Sequence, residues 1–288
     1  MNIGPLVSIC IPTYNGELYI EEALNSILNQ TYSNFEIIIS DDNSTDGTLI
    51  KINNFIHHSS IPVTLYHHIP NGIGANWNNC INNSKGKYIK FLFQDDILFP
   101  TCIEKMVYLA EQDQNIGLVY CKRSILYDPT NSFHLKWLSG YKNVHNHWFD
   151  IELKDSLILS GVKYLKDKNI MQTPRNKIGE PTAVLISVKC FDEVGYFNTE
   201  LKQILDFEFW LRIMKKYNLG FIDEELVCFR LHSSQASAVN YERSISEKNF
   251  LMKEFYVNYF WNLDFKNKFR LLNKYVFVFS VLKRFFKE

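Results

Sequence analysis

The chain predicts an α/β fold, a mostly parallel sheet flanked by helices, with a helical extension at the C-terminal end. Over the first 120 residues, short apolar runs rich in Val and Ile alternate with stretches of helical period, the pattern of βαβ units and of a sheet covered on both faces. Three of those runs end in polar clusters, where an open parallel sheet places its ligands. The chain has 288 residues, 46% of them hydrophobic, which suffices for one large domain and an extension.

The elements follow in order. "LVSICI" (6–11) reads as a short strand stopped by Pro12. Ile20, Ala23, Leu24, Ile27 and Leu28 then recur at helical spacing and give an amphipathic helix. "FEIIIS" (35–40) is a second strand, and "STDGTLIKINNFI" opens a second helix with Ser44 or Thr45 as N-cap. "VTLYH" (63–67), a helix near 74–83, "YIKFLF" (88–93), a helix near 101–111 and "IGLVYC" (116–121) continue the alternation. From about 122 to 180 the periodicity degrades into turn formers mixed with aromatic and His residues, as in "KWLSGYKNVHNHWFD". This stretch reads as a less regular insertion lining a site. "TAVLISVKCF" restarts ordered structure, "FEFWLRIMKKY" (207–217) is helical, and "ELVCFRL" (225–231) is a strand. The tail from about Tyr241 is helical and rich in aromatics and Lys/Arg.

Composition excludes several functions. With 31 basic and 31 acidic residues there is no global positive field, so a general polynucleotide binder is not expected. "MNIGPLVSICIPTYNG" lacks the basic and apolar segments of a signal peptide, and no run reaches the ~18–20 apolar residues that span a bilayer. Six scattered cysteines without a CxxC pair read as reduced, structural thiols of a cytosolic protein. His57-His58, His67-His68 and His145/His147 lack supporting ligands and do not read as metal sites.

The three polar clusters are "PTYNG" (12–16), "DDNSTDGT" (41–48) and "QDD" (94–96). The last poses a physical question. Two carboxylates about 5 Å apart repel by roughly 3 kcal/mol at an effective dielectric near 20, and a fold seldom keeps such a pair beside its core for stability.

These motifs carry a family resemblance. From "VSICIPTYNGELYIEEALNSILNQTYSNFEIIISDDNSTDGT" through "NGIGANWNNCINNSKGKYIKFLFQDDILFP" to "LDFEFWLRI" and "FRLHSSQAS", residues 5 to 238 resemble the family 2 glycosyltransferases, nucleotide-sugar enzymes of the GT-A fold. The resemblance implies a GT-A domain over 1–238, with a nucleotide-sugar-binding half (1–121) and an acceptor-binding half (122–238), then a helical extension over 239–288.

It also implies roles. Asp96 would ligate a divalent cation, Mn²⁺ or Mg²⁺, that bridges the donor diphosphate, and Asp95 would orient the ribose or the metal's shell. The cation answers the repulsion by placing positive charge between carboxylates and diphosphate. Pro12, Thr13 and Tyr14 would contact base and ribose, while Asp42 would accept a hydrogen bond from the base, as a uracil N–H requires. Asp41 and Asp46 would cap the turn and the helix, and Glu17 either touches the pocket or begins a helix. Asp206 would be the base for the acceptor hydroxyl, with N-capping of the 207–217 helix as an alternative or additional role. Glu208 and Glu180 would serve the acceptor, His232 would lie at the metal and diphosphate, and Arg212 would be a structural ion-pair partner. Asn76 reads as helix surface, with donor contact as the other option.

Two departures from the family pattern stand out. Gln94 replaces an acid common in relatives, and Leu205 replaces a Glu before the base, leaving Asp206 in more apolar surroundings that raise its pKa. The implied activity is metal-dependent inverting transfer of a hexosyl or N-acetylhexosaminyl group. It would run from a UDP-sugar to a saccharide or lipid-linked saccharide in polysaccharide, lipopolysaccharide or capsule biosynthesis. A nucleotidyltransferase making the sugar nucleotide, or a non-catalytic nucleotide-sugar-binding protein, are the alternatives; "PTYNGE" lacks the basic, Gly-rich loop of the former. The tail "FKNKFRLLNKYVFVFSVLKRFFKE" either lies on the cytoplasmic face of the inner membrane or packs on the core or on a second copy of the chain.

Overall fold

The computed structural model describes residues 4–235 and 244–276. Its strands are β1 (Val7–Thr13), β2 (Phe35–Asp41), β3 (Val63–His67), β4 (Tyr88–Phe91), β5 (Ile97–Leu98), β6 (Ile116–Leu126), β7 (Leu157–Ser160), β8 (Val184–Ser187) and β9 (Asn218–Arg230). The helices of the first half are α1 (Ile20–Leu28), α2 (Thr48–His58), α3 (Ile73–Asn82) and α4 (Cys102–Ala110). Those of the second are α5 (Ser132–Tyr141), α6 (Gly161–Leu165), α7 (Lys189–Val194), α8 (Leu205–Lys216), α9 (Ser244–Glu254) and α10 (Phe265–Tyr275).

Among the described residues the strands form one sheet in the order β3-β2-β1-β4-β8-β6-β9-β5, with β7 also on β9. β1 pairs parallel with β2 and β4, and β2 with β3, as the alternation predicts. β8 enters antiparallel between β4 and β6. All seven residues of β1 are buried, which fits a central strand with helices on both faces. Alternate residues feed two apolar layers: Ile9, Ile11, Ile37 and Ile39 join α1 on one face. Cys10, Ile38 and Phe91 join Trp77, Phe209 and Trp210 on the other. The register sets Thr13 beside Asp41 and Cys10 beside Phe91, so β1, β2 and β4 deliver their polar ends to one edge.

Several expectations change. α2 begins at Thr48 rather than at Ser44 or Thr45, because Asp41 holds the Ser44 N–H (2.8 Å) and hydroxyl (2.6 Å) in the preceding turn. The Asp46 carboxylate accepts from the Thr48 N–H (3.0 Å), the capping role expected of it, and its pKa is lowered by hydrogen bonds from Thr48 and the Glu17 N–H. The strand expected over 225–231 is the second half of β9. The stretch 122–180 is more regular than its periodicity implies. It contains the end of β6, β7, α6 and α5, whose side chain cap is Asn131. Only His134 of α5 is buried, so that helix carries no apolar stripe for a sequence pattern to show. The seam between halves at 121/122 falls inside β6, so both halves share one sheet.

The C-terminal helices are integral to the packing. Leu251, Phe255, Tyr259, Leu263 and Leu271 are buried in the same apolar layer as α8. Buried Glu247 on α9 accepts from the N–H groups of Lys202 (2.8 Å), Gln203 (2.8 Å) and Ile204 (3.2 Å), closing the turn that leads into α8. No helix among the described residues is long and apolar enough to cross a membrane. All six cysteines are free and buried. The tail start near Tyr241, the boundary at 238/239 and the tail from Phe277 onward lie outside the described residues.

Candidate active site

The loops after β1, β2 and β3 are tied together. Buried Thr13 donates its hydroxyl to Asp41 Oδ1 (2.9 Å), and Asp41 also holds Ser44, so Asp41 is committed to the turn. Asn43 takes the left-handed backbone (φ 60°) that an Asx turn accommodates. Asp42, next to it, takes no part in this turn through its carboxylate. Its N–H donates to the Thr13 carbonyl (2.9 Å), and its Oδ1 lies 2.5 Å from His68 Nδ1. Burial raises the Asp42 pKa, and the His68 bond opposes that shift. His68 was considered above only as half of a metal-binding pair. Its role as the partner of Asp42 depends on β3 lying beside β2, which no local pattern announces.

Asn76 is buried rather than on a helix surface. Its Nδ2 donates to the Thr13 carbonyl (3.3 Å), and its Oδ1 has no partner, because α3 packs directly on β1. Pro12 is buried, and the Tyr14 ring is 57% exposed at the rim. Glu17 is engaged at the start of α2, where its Oε2 accepts from the Gly47 N–H (2.9 Å).

Gln94, where relatives carry an acid, has a clear local task. Its Oε1 accepts from the Tyr14 N–H (2.9 Å), and its Nε2 donates to the Tyr14 carbonyl (3.0 Å). An amide offers both a donor and an acceptor, whereas an ionised carboxylate only accepts. Gln94→Glu is expected to leave the Tyr14 carbonyl facing a carboxylate and to loosen the "PTYNG" loop. UDP affinity should fall by about threefold to tenfold, as loss of one hydrogen bond predicts. Calorimetric titration with UDP checks this, and unchanged affinity would refute the loop's dependence on Gln94.

Asp96 is 1% exposed. Its Oδ1 accepts from the Arg230 N–H (3.2 Å), and its buried Oδ2 has no hydrogen-bond partner. Burial, and then the charge of Asp95, push its carboxyl well above the usual range. Asp95 instead meets His232, with Nε2 and Oδ2 2.8 Å apart, and its carbonyl accepts from Arg230 Nε (3.0 Å). Arg230 stacks on Tyr19 at 4.5 Å and also pairs with Glu22. The segment after β9 is thus strapped to the acidic pair. His232, expected at the metal and diphosphate, has Nε2 against Asp95 and Nδ1 2.9 Å from the Ser234 hydroxyl, so in this state it positions Asp95.

No group of three or more His, Cys, Asp and Glu side chains arranged to hold a metal occurs among the described residues. A small hard cation does not require one: Mg²⁺-type sites use one or two carboxylates and complete their shell with phosphate oxygens and water. The orphaned Asp96 Oδ2 beside Asp95 fits that donor set.

The opposite wall is built by 174–180 and α8. Asp206 stands inside the first turn of α8, which begins at Leu205, so it is not the N-cap of a helix starting at 207. Its Oδ1 accepts from the Phe207 N–H (2.6 Å) and its Oδ2 from Asn176 Nδ2 (2.7 Å). Burial raises its pKa to about 7, with the charge of Glu180 adding to the effect. The apolar neighbour expected from Leu205 is present, since that residue is 3% exposed. Asn176 organises its own loop, accepting from the N–H groups of Ile178 (3.2 Å) and Gly179 (3.0 Å). Gly179 has φ 106°, a conformation that side-chain-bearing residues rarely adopt. Nothing in the sequence singled out Asn176.

Glu180 links the two walls electrostatically, because its charge raises the pKa of both Asp96 and Asp206. It is ion-paired with buried Arg123, Oε2 to Nε 2.9 Å. Glu208, expected to serve the acceptor, is engaged by Arg212, which donates to both its oxygens at 2.8 Å (Nε to Oε1, Nη2 to Oε2). Two residues on from Asp206 along a helix, Glu208 points to the other side. The structural role expected of Arg212 is therefore present, and Glu208 is its partner.

Comparison with known proteins bears on the family and the fold. Residues 8–191 match the family model described as "Glycosyl transferase family 2". An uncharacterized glycosyltransferase of Rickettsia felis is 30% identical over 81% of this chain and 35% of its own length. The chain spans between a third and two thirds of the length of the first curated relatives it matches. Among solved structures, S. aureus TarS 1–349 in complex with UDP-GlcNAc aligns over 93% of this chain and 78% of that one, with TM-score 0.61 and 16% identity. The mannosyltransferase PcManGT from Pyrobaculum calidifontis, in complex with GDP-Man and Mn²⁺, aligns over 88% and 64%, with TM-score 0.56 and 17% identity. At such identities the structural likeness concerns the fold.

Proposed function

Since a match over residues 8–191 shows that the chain belongs to glycosyl transferase family 2, we propose that it transfers a sugar, with inversion, from a UDP-sugar to a saccharide hydroxyl. The observation that carries the reading is the presence, on either side of Glu180, of a carboxyl held at about 7 (Asp206) and a buried carboxylate oxygen that makes no hydrogen bond (Asp96 Oδ2). One is poised to take a proton near neutral pH, and the other awaits a positive charge.

In this reading Asp42, oriented by His68, accepts from the base, and the Gln94-braced loop of Pro12, Thr13 and Tyr14 flanks base and ribose. Asp206 takes the proton of the acceptor hydroxyl as the new bond to the anomeric carbon forms and the bond to the diphosphate oxygen breaks. Asn176 holds the carboxylate in place through Oδ2. Asp96, with Asp95 beside it, would hold a divalent cation, Mn²⁺ or Mg²⁺, which when bound supplies positive charge to the donor diphosphate. Glu180 remains in the acceptor wall as a charged neighbour of Asp206, while Glu208 is no longer assigned there. A UDP donor and a divalent cation accord with the UDP-GlcNAc and Mn²⁺ complexes of the two structural neighbours.

Purified chain incubated with labelled UDP-sugars, Mn²⁺ or Mg²⁺ and simple saccharides is expected to transfer label. Synthesis of UDP-sugar from UTP and sugar 1-phosphate, or donor binding without any turnover, would overturn the assignment. The Asp206 arrangement favours transfer over a purely binding role.

The biological setting proposed is cell-surface polysaccharide assembly at the cytoplasmic face of a membrane. Val257 (62%), Trp261 (84%), Phe265 (82%) and Phe269 (43%) stand exposed in the extension, interspersed with Lys266, Lys268 and Arg270. Aromatics beside basic residues suit an anionic bilayer surface. Trp261→Asp with Phe265→Asp is expected to lower partition onto vesicles containing anionic lipid by about tenfold or more. Both residues are exposed, so the fold is spared, and equal flotation of variant and wild type would end the membrane role.

A further inference from the structure

One buried cation stands against the acceptor wall with no part in the proposed chemistry. Arg123, on β6, is 5% exposed. Its Nε lies 2.9 Å from Glu180 Oε2, an ion-pair contact in which the N–H is not aligned for a hydrogen bond. Its Nη2 donates to the Tyr141 carbonyl (2.9 Å), and its Cζ lies 5.8 Å from the ring centres of both Trp137 and Phe229, which stack on each other at 5.7 Å. Helix α5 and strand β9 thus fix where the positive charge sits. Nη1 is buried and makes no hydrogen bond. A buried ion pair with incomplete hydrogen bonding adds little to stability, and apolar side chains of the same size commonly serve a fold as well.

From Glu180 the route to Asp206 is short. Asn176 Nδ2 donates both to the Gly179 carbonyl (2.8 Å) and to Asp206 Oδ2 (2.7 Å), and Gly179 is joined to Glu180 through that same carbonyl. Trp210 Nε1 of α8 holds it as well (3.2 Å). On the other side, the Glu180 carbonyl accepts from the Ala183 N–H (2.8 Å) and Thr182 Oγ1 from the Phe93 N–H (3.3 Å), while the buried Lys90 ammonium donates to the Thr182 carbonyl. The segment that carries Glu180 is therefore pinned between the strand leading to Asp95 and the helix of Asp206. The other charges here are engaged. Arg212 holds Glu208, and the Lys177 ammonium donates to the carbonyls of Asn169 (2.6 Å), Gln172 (3.1 Å) and Pro174 (2.8 Å). His145, whose Nδ1 lies 2.7 Å from the Lys177 carbonyl, is neutral at pH 7, because burial and then the Arg123 charge lower its pKa to about 4. Glu180 acts by its charge on Asp96 and on Asp206.

We propose that Arg123 is a positioning residue for the base: by anchoring Glu180 it fixes the acceptor wall, and with it the charge that Asp206 meets as it faces the acceptor hydroxyl. Arg123 acts through Glu180. With the guanidinium in place, the Glu180 charge is partly balanced. Without it, Glu180 opposes a second negative charge more strongly, and Asp206 keeps its proton to higher pH. This inference rests on the transferase reading for the task of Asp206.

The test follows the ionisation of Asp206 in the full chain by two readouts. One is the pH profile of turnover. The other is the difference in melting temperature between each variant and its Asp206→Asn counterpart over about pH 5 to 9. Glu180→Gln is expected to move the midpoint down by about one pH unit, and Arg123→Met to move it up by about as much, with UDP affinity unchanged in both. Arg123→Lys keeps the charge and should stay near wild type. In the Glu180→Gln background, Arg123→Met should add little. An equal shift by Arg123→Met with and without Glu180 overturns the role. An unmoved midpoint in Glu180→Gln does so too, and that near-isosteric change at a partly exposed side chain keeps the test decisive even where Arg123→Met fails to fold. The melts need no turnover, so they decide the positioning role independently, and a wild type that transfers no sugar counts against the transferase reading alone.

Discussion

Replacing Asp206 by Asn is expected to lower kcat by about 10² or more while UDP affinity stays nearly intact. The side chain keeps its size, and its amide oxygen can still accept one of the two hydrogen bonds, from Phe207 or Asn176, so the loss falls on proton acceptance. The wild-type rate should rise with pH through about 7, where the Asp206 carboxyl ionises, and the Asn variant should lack that limb. A stability change of opposite sign accompanies it. Asp206 has a folded-state pKa above its unfolded value, so the folded form binds the extra proton. Its contribution to stability is present below pH 3.8 and is lost as pH rises to about 7. Thermal melts should therefore show wild type losing stability relative to Asp206→Asn across that window, with the variant more stable above it. Undiminished turnover by the variant would remove Asp206 from the base role, and parallel melting curves would remove the buried carboxylate from the account.

Asp96→Asn is expected to abolish the extra thermal stabilisation that UDP with Mn²⁺ gives over UDP alone, and to reduce turnover by about 10³, the loss expected when several kcal/mol of charge stabilisation disappear. Without ligands the sign reverses. The fold buries this carboxyl with one oxygen unpartnered and Asp95 nearby, and its raised pKa means that stability falls as pH climbs from the ordinary carboxylate range toward the folded value. At pH 8 the unliganded Asn variant should melt higher than wild type, and the ranking should invert once UDP and Mn²⁺ are added. The stability penalty is then part of the site, since it is relieved only by what the site binds. A variant that retains Mn²⁺-dependent stabilisation would exclude Asp96 as the residue that holds the cation.

Much of the architecture was visible in local pattern. Residues 9–11 and 37–39 are apolar runs buried on both faces, as strands sandwiched between helices require. Ile20, Ala23, Leu24 and Ile27 follow the period of a helix with one buried side. Asp95 and Asp96 were conspicuous because a strand ran straight into two like charges. These features involve neighbours a few residues apart, and their physics is contained in the chain itself.

Partnership was decided elsewhere. His68 reaches Asp42 across 26 positions, Asn176 reaches Asp206 across 30, Gln94 reaches Tyr14 across 80, and His232 reaches Asp95 across 137. Glu208 and Asp206, two residues apart, were both expected at the acceptor end, but Arg212 holds the first and Asn176 the second. Periodicity reports which side of an element avoids water. Which groups then meet, and how far their proton affinities move, depends on water excluded and charges gathered by segments distant in sequence, and those quantities exist only once the sheet has closed around them.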